Sequence, residues 1–327
     1  MQMNEIQLIQ SDEYRTIIYP FFTENDAPKG SILILHGVAE HHSRYEHFAD
    51  FLNKNGYDVF LYDHRGHGTD KKYEEIGVLP VNGYEKLVSD ALAVLDFIRR
   101  NSRSSNLILF AHSMGSLVAR VMVQFDDRIN KLVLSGTSHQ NRLVLRAGLL
   151  LASYIKKKNG SETQSHFLHN CIFSSNTYKK VNKFTAYDWL SRNTTIVDAY
   201  IHDPFCGFIG STGLYHALLK LALNASSPSK IAHTRRDLPI FIISGMSDPV
   251  GNFGHDVSRY FSLLQKLGFS KLDCSLYHEC RHELLNETNN EEIYKDILEW
   301  ISADDTSSEN TGNTSPAADA STAKTAD

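Results

Sequence analysis

Cysteine is scarce in this chain and never paired in motif form. The four residues, Cys171, Cys206, Cys274 and Cys280, include no C-x-x-C pair, and Cys274 and Cys280 are spaced too widely for a tight zinc knuckle. Neither a redox dithiol nor a small zinc module is expected. A chain of 327 residues that is 42% hydrophobic buries a core large enough to do without disulfides, so free thiols in a reducing compartment are the expectation. No apolar run approaches the roughly 20 residues that span a bilayer. Met1 to Tyr14 has neither the basic start nor the apolar stretch of an export signal, and we expect a cytoplasmic protein. Excess charge is also missing from most of the chain. The formal net charge is −5, and from Ser302 onward five acids stand against the single base Lys324. The remainder is close to neutral and carries no electrostatic footprint for nucleic acid. No internal repeat is visible.

What is present is an alternation of strand and helix patterns. Glu5 to Ile9 and Tyr14 to Phe22 form an expected antiparallel pair, followed by an apolar strand from Ser31 to Leu35 and a helix from about Arg44 to Asn55 stopped by Gly56. Tyr57 to Tyr62 reads as a strand, Tyr84 to Arg100 as a long amphipathic helix, and Leu107 to Phe110 and Lys131 to Ser135 as further strands. Between Thr137 and Arg236 only helical patterns and loops occur. The alternation then resumes with Pro239 to Ser244, a helix near His255 to Leu267, a strand from Lys271 to Tyr277 and a helix from Asn290 to Ile301. This order predicts an α/β fold with a mainly parallel, doubly wound sheet: residues 1–136 as the first part of the core, 137–236 as a helical cap, 237–301 as the second part and 302–327 as a disordered acidic tail. A helical insertion late in such a domain belongs over the open strand ends, where these sheets bind ligands.

One stretch organises the rest, Leu109-Phe110-Ala111-His112-Ser113-Met114-Gly115. Apolar residues of a buried strand end at Phe110, helical spacing starts after Gly115, and Ser113 stands where the period changes. Small residues at 111 and 115 fit a tight strand-to-helix elbow, and Ser113 is the candidate nucleophile. Chance alone supplies such a motif, so the assignment needs partners. A serine hydroxyl requires a base, a group orienting that base, and donors for an oxyanion. His282 follows one strand, Asp248 follows another, and Asp273 is a poorer acid because it lies inside a strand. The order Ser113, Asp248, His282 places all three at one edge of a parallel sheet. Backbone N–H groups of Met114, at the start of the elbow helix, and Val38, after His36-Gly37, are the candidate oxyanion donors. Gly66-His67-Gly68 begins like a dinucleotide fingerprint, but position 71 is lysine, and His41, His42 and His47 lack a matching ligand set. No cofactor and no metal are expected.

The motifs His36-Gly37-Val38-Ala39-Glu40-His41, Asp63-His64-Arg65-Gly66-His67-Gly68, His112-Ser113-Met114-Gly115, Ser247-Asp248-Pro249-Val250 and Arg281-His282-Glu283-Leu284-Leu285-Asn286-Glu287 occur in one order over about residues 30 to 300. In this the chain resembles the monoacylglycerol lipase and lysophospholipase branch of the α/β-hydrolases, which is serine aminopeptidase S33-like. The resemblance implies Ser113 as nucleophile, His282 as general base and then acid, Asp248 as its orienting acid, and hydrolysis of a single-chain lipid ester through an acyl-enzyme. Ala111 departs from the family's elbow glycine, and the cap matches the family less clearly than the sheet does. A peptidase or amidase of the same fold and a non-catalytic ligand-binding relative are the alternatives. The apolar run Leu143 to Ile155 followed by Lys156-Lys157-Lys158 predicts a lid helix with its apolar face over the pocket; transient docking to a lipid surface, with the lysines near the head groups, is a second reading compatible with the first.

Overall fold

The computed structural model describes residues 5–173, 176–181 and 183–303. The disordered tail expected over 302–327 lies outside the described residues beyond Ala303. Among the described residues one sheet of eight strands forms: β1 (Ile6–Ile9), β2 (Arg15–Phe21), β3 (Gly30–Leu35), β4 (Tyr57–Tyr62), β5 (Leu107–His112), β6 (Lys131–Ser135), β7 (Ile240–Gly245) and β8 (Leu272–Tyr277), in the order β1-β2-β4-β3-β5-β6-β7-β8. The first two strands pair antiparallel, β2 joins β4 antiparallel, and every later pairing is parallel. The expected antiparallel start and parallel continuation are both observed.

Helices cover both faces of the sheet, and the period of two along the strands decides which side chain meets which layer. Leu33, Leu35, Leu109, Ala111, Leu132 and Leu134 join the cluster formed with α2 (Gly83–Asn101) and α3 (Met114–Met122). Their neighbours Ile32, Ile34, Ile108, Phe110 and Val133 face the opposite way and pack on α1 (Glu46–Lys54) and the C-terminal helix Asn290–Ser302. Burial on two sides is why these strands read as continuous apolar runs. By contrast, β8 at the sheet edge leaves Asp273 and Cys274 exposed.

Between β6 and β7 the described residues form α4 (Arg142–Asn159), α5 (His166–Phe173), α6 (Asn176–Val181), α7 (Thr194–His202), α8 (Thr212–Ala225) and α9 (Pro228–Ile231). The order continues with α10 (His255–Lys266) and α11, the C-terminal helix. No helix among the described residues is long and apolar enough to cross a membrane.

Chain direction reverses at the centre of the sheet. From β3 the chain steps outward to β4, returns across β3 to β5, and then adds β6, β7 and β8 on the other side. The loops after β3 and β5 therefore diverge from adjacent strand ends, which opens a crevice at their C-terminal edge.

One boundary differs from expectation. The segment expected to begin a helix near Arg44 starts instead with a tight 3-10 turn over His42–Tyr45 before α1. Side chains hold it: Asp63 accepts from the backbone N–H of His42 at 2.7 Å and meets its Nδ1 at 2.6 Å, while Arg44 reaches Glu40 and Glu283.

Candidate active site

Ser113 follows β5 and precedes α3 with φ 49° and ψ −117°, a strained conformation for a residue with a Cβ. The surroundings hold the turn in place. Its N–H donates to Ser135 O on the adjoining strand at 3.0 Å, and Ser116 Oγ donates to Ser113 O at 2.5 Å. Close approach explains Gly115: a Cβ there would overlap the carbonyl oxygens of Leu35 and His36 at the end of β3. Ala111 is fully buried within β5, in register with Leu35 and Leu134, and its methyl joins the core. The departure from glycine thus falls where the sheet has room for one carbon.

Asp248 and His282 come from loops after β7 and β8. Asp248 Oδ1 accepts from Val250 N–H at 2.8 Å, and Oδ2 lies 2.9 Å from His282 Nδ1, with both side chains buried. Asp248 thereby fixes the imidazole with Nε2 free for another partner. Burial works to lower the His282 pKa, but the carboxylates of Asp248, Glu283 and Glu40 outweigh it, and the net shift is upward. The insertion contributes as well: Trp189 O and Leu190 O accept the N–H groups of His282 and Glu283, and the Trp189 ring lies 5.1 Å from that of His282.

Two cavities meet at Ser113. The smaller, of about 100 Å³, is bordered by Ser113, His282, Val38, His169 and Tyr215. The larger, of about 320 Å³, is lined chiefly by apolar side chains including Leu117, Leu145, Leu151, Ile172 and Leu219, and Ser113, Met114 and Val38 border it. The segment from Asp203 to Phe208 stands at the smaller cavity, where Gly207 and Phe208 border it and Gly207 N–H donates to Ala39 O at 3.0 Å. All five residues singled out from the sequence, Ser113, Asp248, His282, Val38 and Met114, lie at this edge of the sheet.

Sequence reasoning did not find the charged group beneath the cavity. Arg44 forks onto Glu283 with two contacts of 2.6 Å and reaches Glu40 Oε2 at 2.8 Å. The spacing of Glu40 and Arg44, four residues apart, was a usable signal, whereas Glu283 lies 239 residues away and offered none. Burial disfavours the Glu283 charge, yet Arg44 holds its pKa down to about 2. His41, which the sequence leaves without a matching ligand set, pairs through Nε2 with Asp203 at 2.8 Å and lies near Cys206.

Behind the loop that carries Gly37 and Val38 stand three buried imidazoles. His36 donates through Nδ1 to Gly37 O at 2.7 Å and accepts His64 N–H at Nε2; His67 donates to Arg65 O and accepts Ala39 N–H. His36 and His67 each use the lone pair of Nε2, which a second proton would remove, while His64 meets the Tyr62 hydroxyl through Nδ1 at 2.9 Å. Burial, reinforced by neighbouring imidazoles, lowers all three pKa values, to about 3 for His64 and about 4 for His67. His112 is lowered in the same way, by burial and by His282. Below pH 6.5 the unfolded chain therefore binds more protons at these sites than the native one, and stability falls with falling pH by up to about 1.4 kcal/mol per pH unit for each group. His282, shifted upward, has the opposite sign and does not add to this loss. The denaturant midpoint is expected to drop steeply between pH 6.5 and 5; an unchanged midpoint would show these groups protonated in the native state.

The match to known proteins agrees with this geometry. Residues 26–289 match the family described as serine aminopeptidase, S33. The monoglyceride lipase of Mus musculus is 25% identical over 287 residues, which cover 86% of this chain and 85% of the relative. A probable lysophospholipase L2 of Haemophilus influenzae is 24% identical over 88% of this chain and 86% of its own. In fold, a thermostable carboxyl esterase from Bacillus coagulans superposes with a TM-score of 0.83 at 24% identity, covering 92% of this chain and 98% of the esterase. The strand order, the serine at the β5 elbow and the matched span converge: the chain belongs to the serine aminopeptidase S33 family, in the monoacylglycerol lipase and lysophospholipase branch of the α/β-hydrolases.

Proposed function

We propose that the protein is a serine hydrolase of single-chain lipid esters, of the monoacylglycerol or lysophospholipid class. The observation that carries this reading is the junction at Ser113, where one serine borders a large apolar cavity on one side and a smaller cavity with polar groups on the other. An acyl chain fits the first and a compact leaving alcohol the second. Ser113 Oγ attacks the ester carbonyl while His282 Nε2 takes its proton, and the oxyanion rests on the N–H groups of Val38 and Met114. His282 then gives the proton to the leaving alcohol, and a water activated by His282 cleaves the acyl-enzyme. Asp248 keeps the imidazole oriented throughout. These steps call for no cofactor or metal.

Residues 137–236 act in this reading as the cap that closes the apolar cavity. Its helix α4 leaves Leu143, Val144, Leu150 and Tyr154 between 65% and 73% exposed, ahead of Lys157 and Lys158, which supports transient contact with a lipid surface. A peptidase acting on free amino termini has less support. The acid bordering the smaller cavity, Glu283, is committed to Arg44 rather than open to an ammonium group.

A fluorophosphonate probe is expected to label Ser113. Hydrolysis of p-nitrophenyl esters should rise in kcat/KM by up to about fourfold per added methylene until the cavity is filled, since each buried methylene contributes about 0.8 kcal/mol. Highest activity on acetate, falling with length, would contradict the assignment of the apolar cavity.

A further inference from the structure

We propose that Arg44 is the positioning residue of this site: one guanidinium, shared between Glu40 and Glu283, locks the loop that carries Gly37 and Val38 to the loop that carries His282. The inference rests on the reading of Ser113 and His282 given above and adds a residue that the catalytic steps do not use.

Two segments far apart in sequence are joined through three side chains. Glu40 Oε1 accepts the backbone N–H of Gly37 at 2.5 Å and the Tyr45 hydroxyl at 2.8 Å, and its Oε2 accepts from Arg44 at 2.8 Å. Glu40 therefore grips the loop whose next residue is Val38. On the other side, Glu283 takes both terminal nitrogens of Arg44 at 2.6 Å each and Asn286 Nδ2 at 3.0 Å. Glu283 directly follows His282. The Tyr200 ring closes the group, with the guanidinium carbon 4.8 Å from its centroid. Arg44 thus sets the distance between a proposed oxyanion donor and the general base.

Stability alone is a poor account of such a group. Desolvating one cation and two carboxylates offsets most of what their attraction returns, and a packed apolar trio is often as stable. The ions supply direction instead. A planar fork meets two carboxylates at defined angles, whereas an ammonium is a point charge on a flexible stem. Displacing a reacting group by about 1 Å lowers rates on the order of 100-fold, so a loosened linkage between these loops should appear in catalysis.

Arg44→Lys separates charge from geometry. It keeps the positive charge against Glu40 and Glu283, two of the carboxylates that, with Asp248 and the neighbouring His112, face His282. The acid limb of the pH profile should therefore stay where it is. The expected result is a loss in kcat on the order of 10- to 100-fold with little change in KM, and an equal loss in the rate of fluorophosphonate labelling, measured well below the unfolding midpoint. Glu40→Gln and Glu283→Gln provide the second arm. Because both act through Arg44, the double variant should lose less than the product of the single losses. Wild-type kcat in Arg44→Lys overturns the proposal, as do strictly multiplicative losses in the two glutamate variants should the lysine variant fail to fold. A wild-type protein that neither turns over ester nor takes the label would instead overturn the reading of Ser113, and the positioning role with it.

Discussion

Replacing Ser113 by alanine is expected to lower kcat for ester hydrolysis by about 10⁵ to 10⁶ while leaving the fold intact. The size follows from the proposed covalent route: without Oγ no acyl-enzyme forms, and what remains is the contribution of binding and the oxyanion donors, about 10³ above the uncatalysed rate. The intact fold follows from the geometry of the turn. Although Ser113 occupies the N-terminal cap position of α3, its side chain makes no capping hydrogen bond. Its backbone N–H, held by Ser135 O, is common to both residues, and alanine meets the same positive φ that serine already tolerates. Circular dichroism and thermal unfolding should match the wild type. Full turnover in Ser113→Ala would remove the serine mechanism, whereas loss of turnover together with loss of fold would show that the hydroxyl has a structural role.

Gly245→Ala is expected to damage both stability and rate. Gly245 ends β7 in register with Tyr277 at the end of β8, where the loops bearing Asp248 and His282 begin to stack. A Cβ at this position would overlap the carbonyl oxygens of Cys280 and Arg281. Neither is the flexible end of a side chain. Ser247 N–H donates to Cys280 O at 2.9 Å, and Arg281 N–H donates to Glu287 at 2.6 Å, so the obstacle is backbone held on both sides. One methyl must then push the His282 loop off the sheet edge. We expect a loss of about 3 kcal/mol, read from the denaturant midpoint. At temperatures where the variant is folded, kcat should fall on the order of 100-fold as His282 leaves its place. A midpoint within a few tenths of a kcal/mol of wild type would mean that the two loops do not approach as described.

Much of this site was readable along the chain. Ser113 could be found because the side-chain period changes from strand to helix at one residue, and Asp248 and His282 because each follows a strand in the order that a parallel sheet brings together. The central strands were recognisable for a related reason: Ile32 to Leu35 and Leu107 to Phe110 face a helix layer on both sides, so every position is apolar. Other features were hidden. The 3-10 turn at His42–Tyr45 departs from the helical pattern because Asp63, Glu40 and Glu283 pull on its side chains from three different loops. Trp189 and Leu190 support the His282 loop through backbone carbonyls, which leave no trace in residue identity.

By itself, then, the sequence determined the order of elements, the elbow and the identities of the nucleophile, acid and base candidates, since these depend on periodicity and turn chemistry over a few neighbouring residues. Only the tertiary structure decided that the serine stands at the meeting of two cavities of different character, that Ala111 costs the elbow no space, and that Arg44 joins the loop of Gly37 and Val38 to the loop of His282. Each of those facts is a distance between groups far apart in the chain, and such distances are set by how layers pack against the sheet, for which local composition carries no signal.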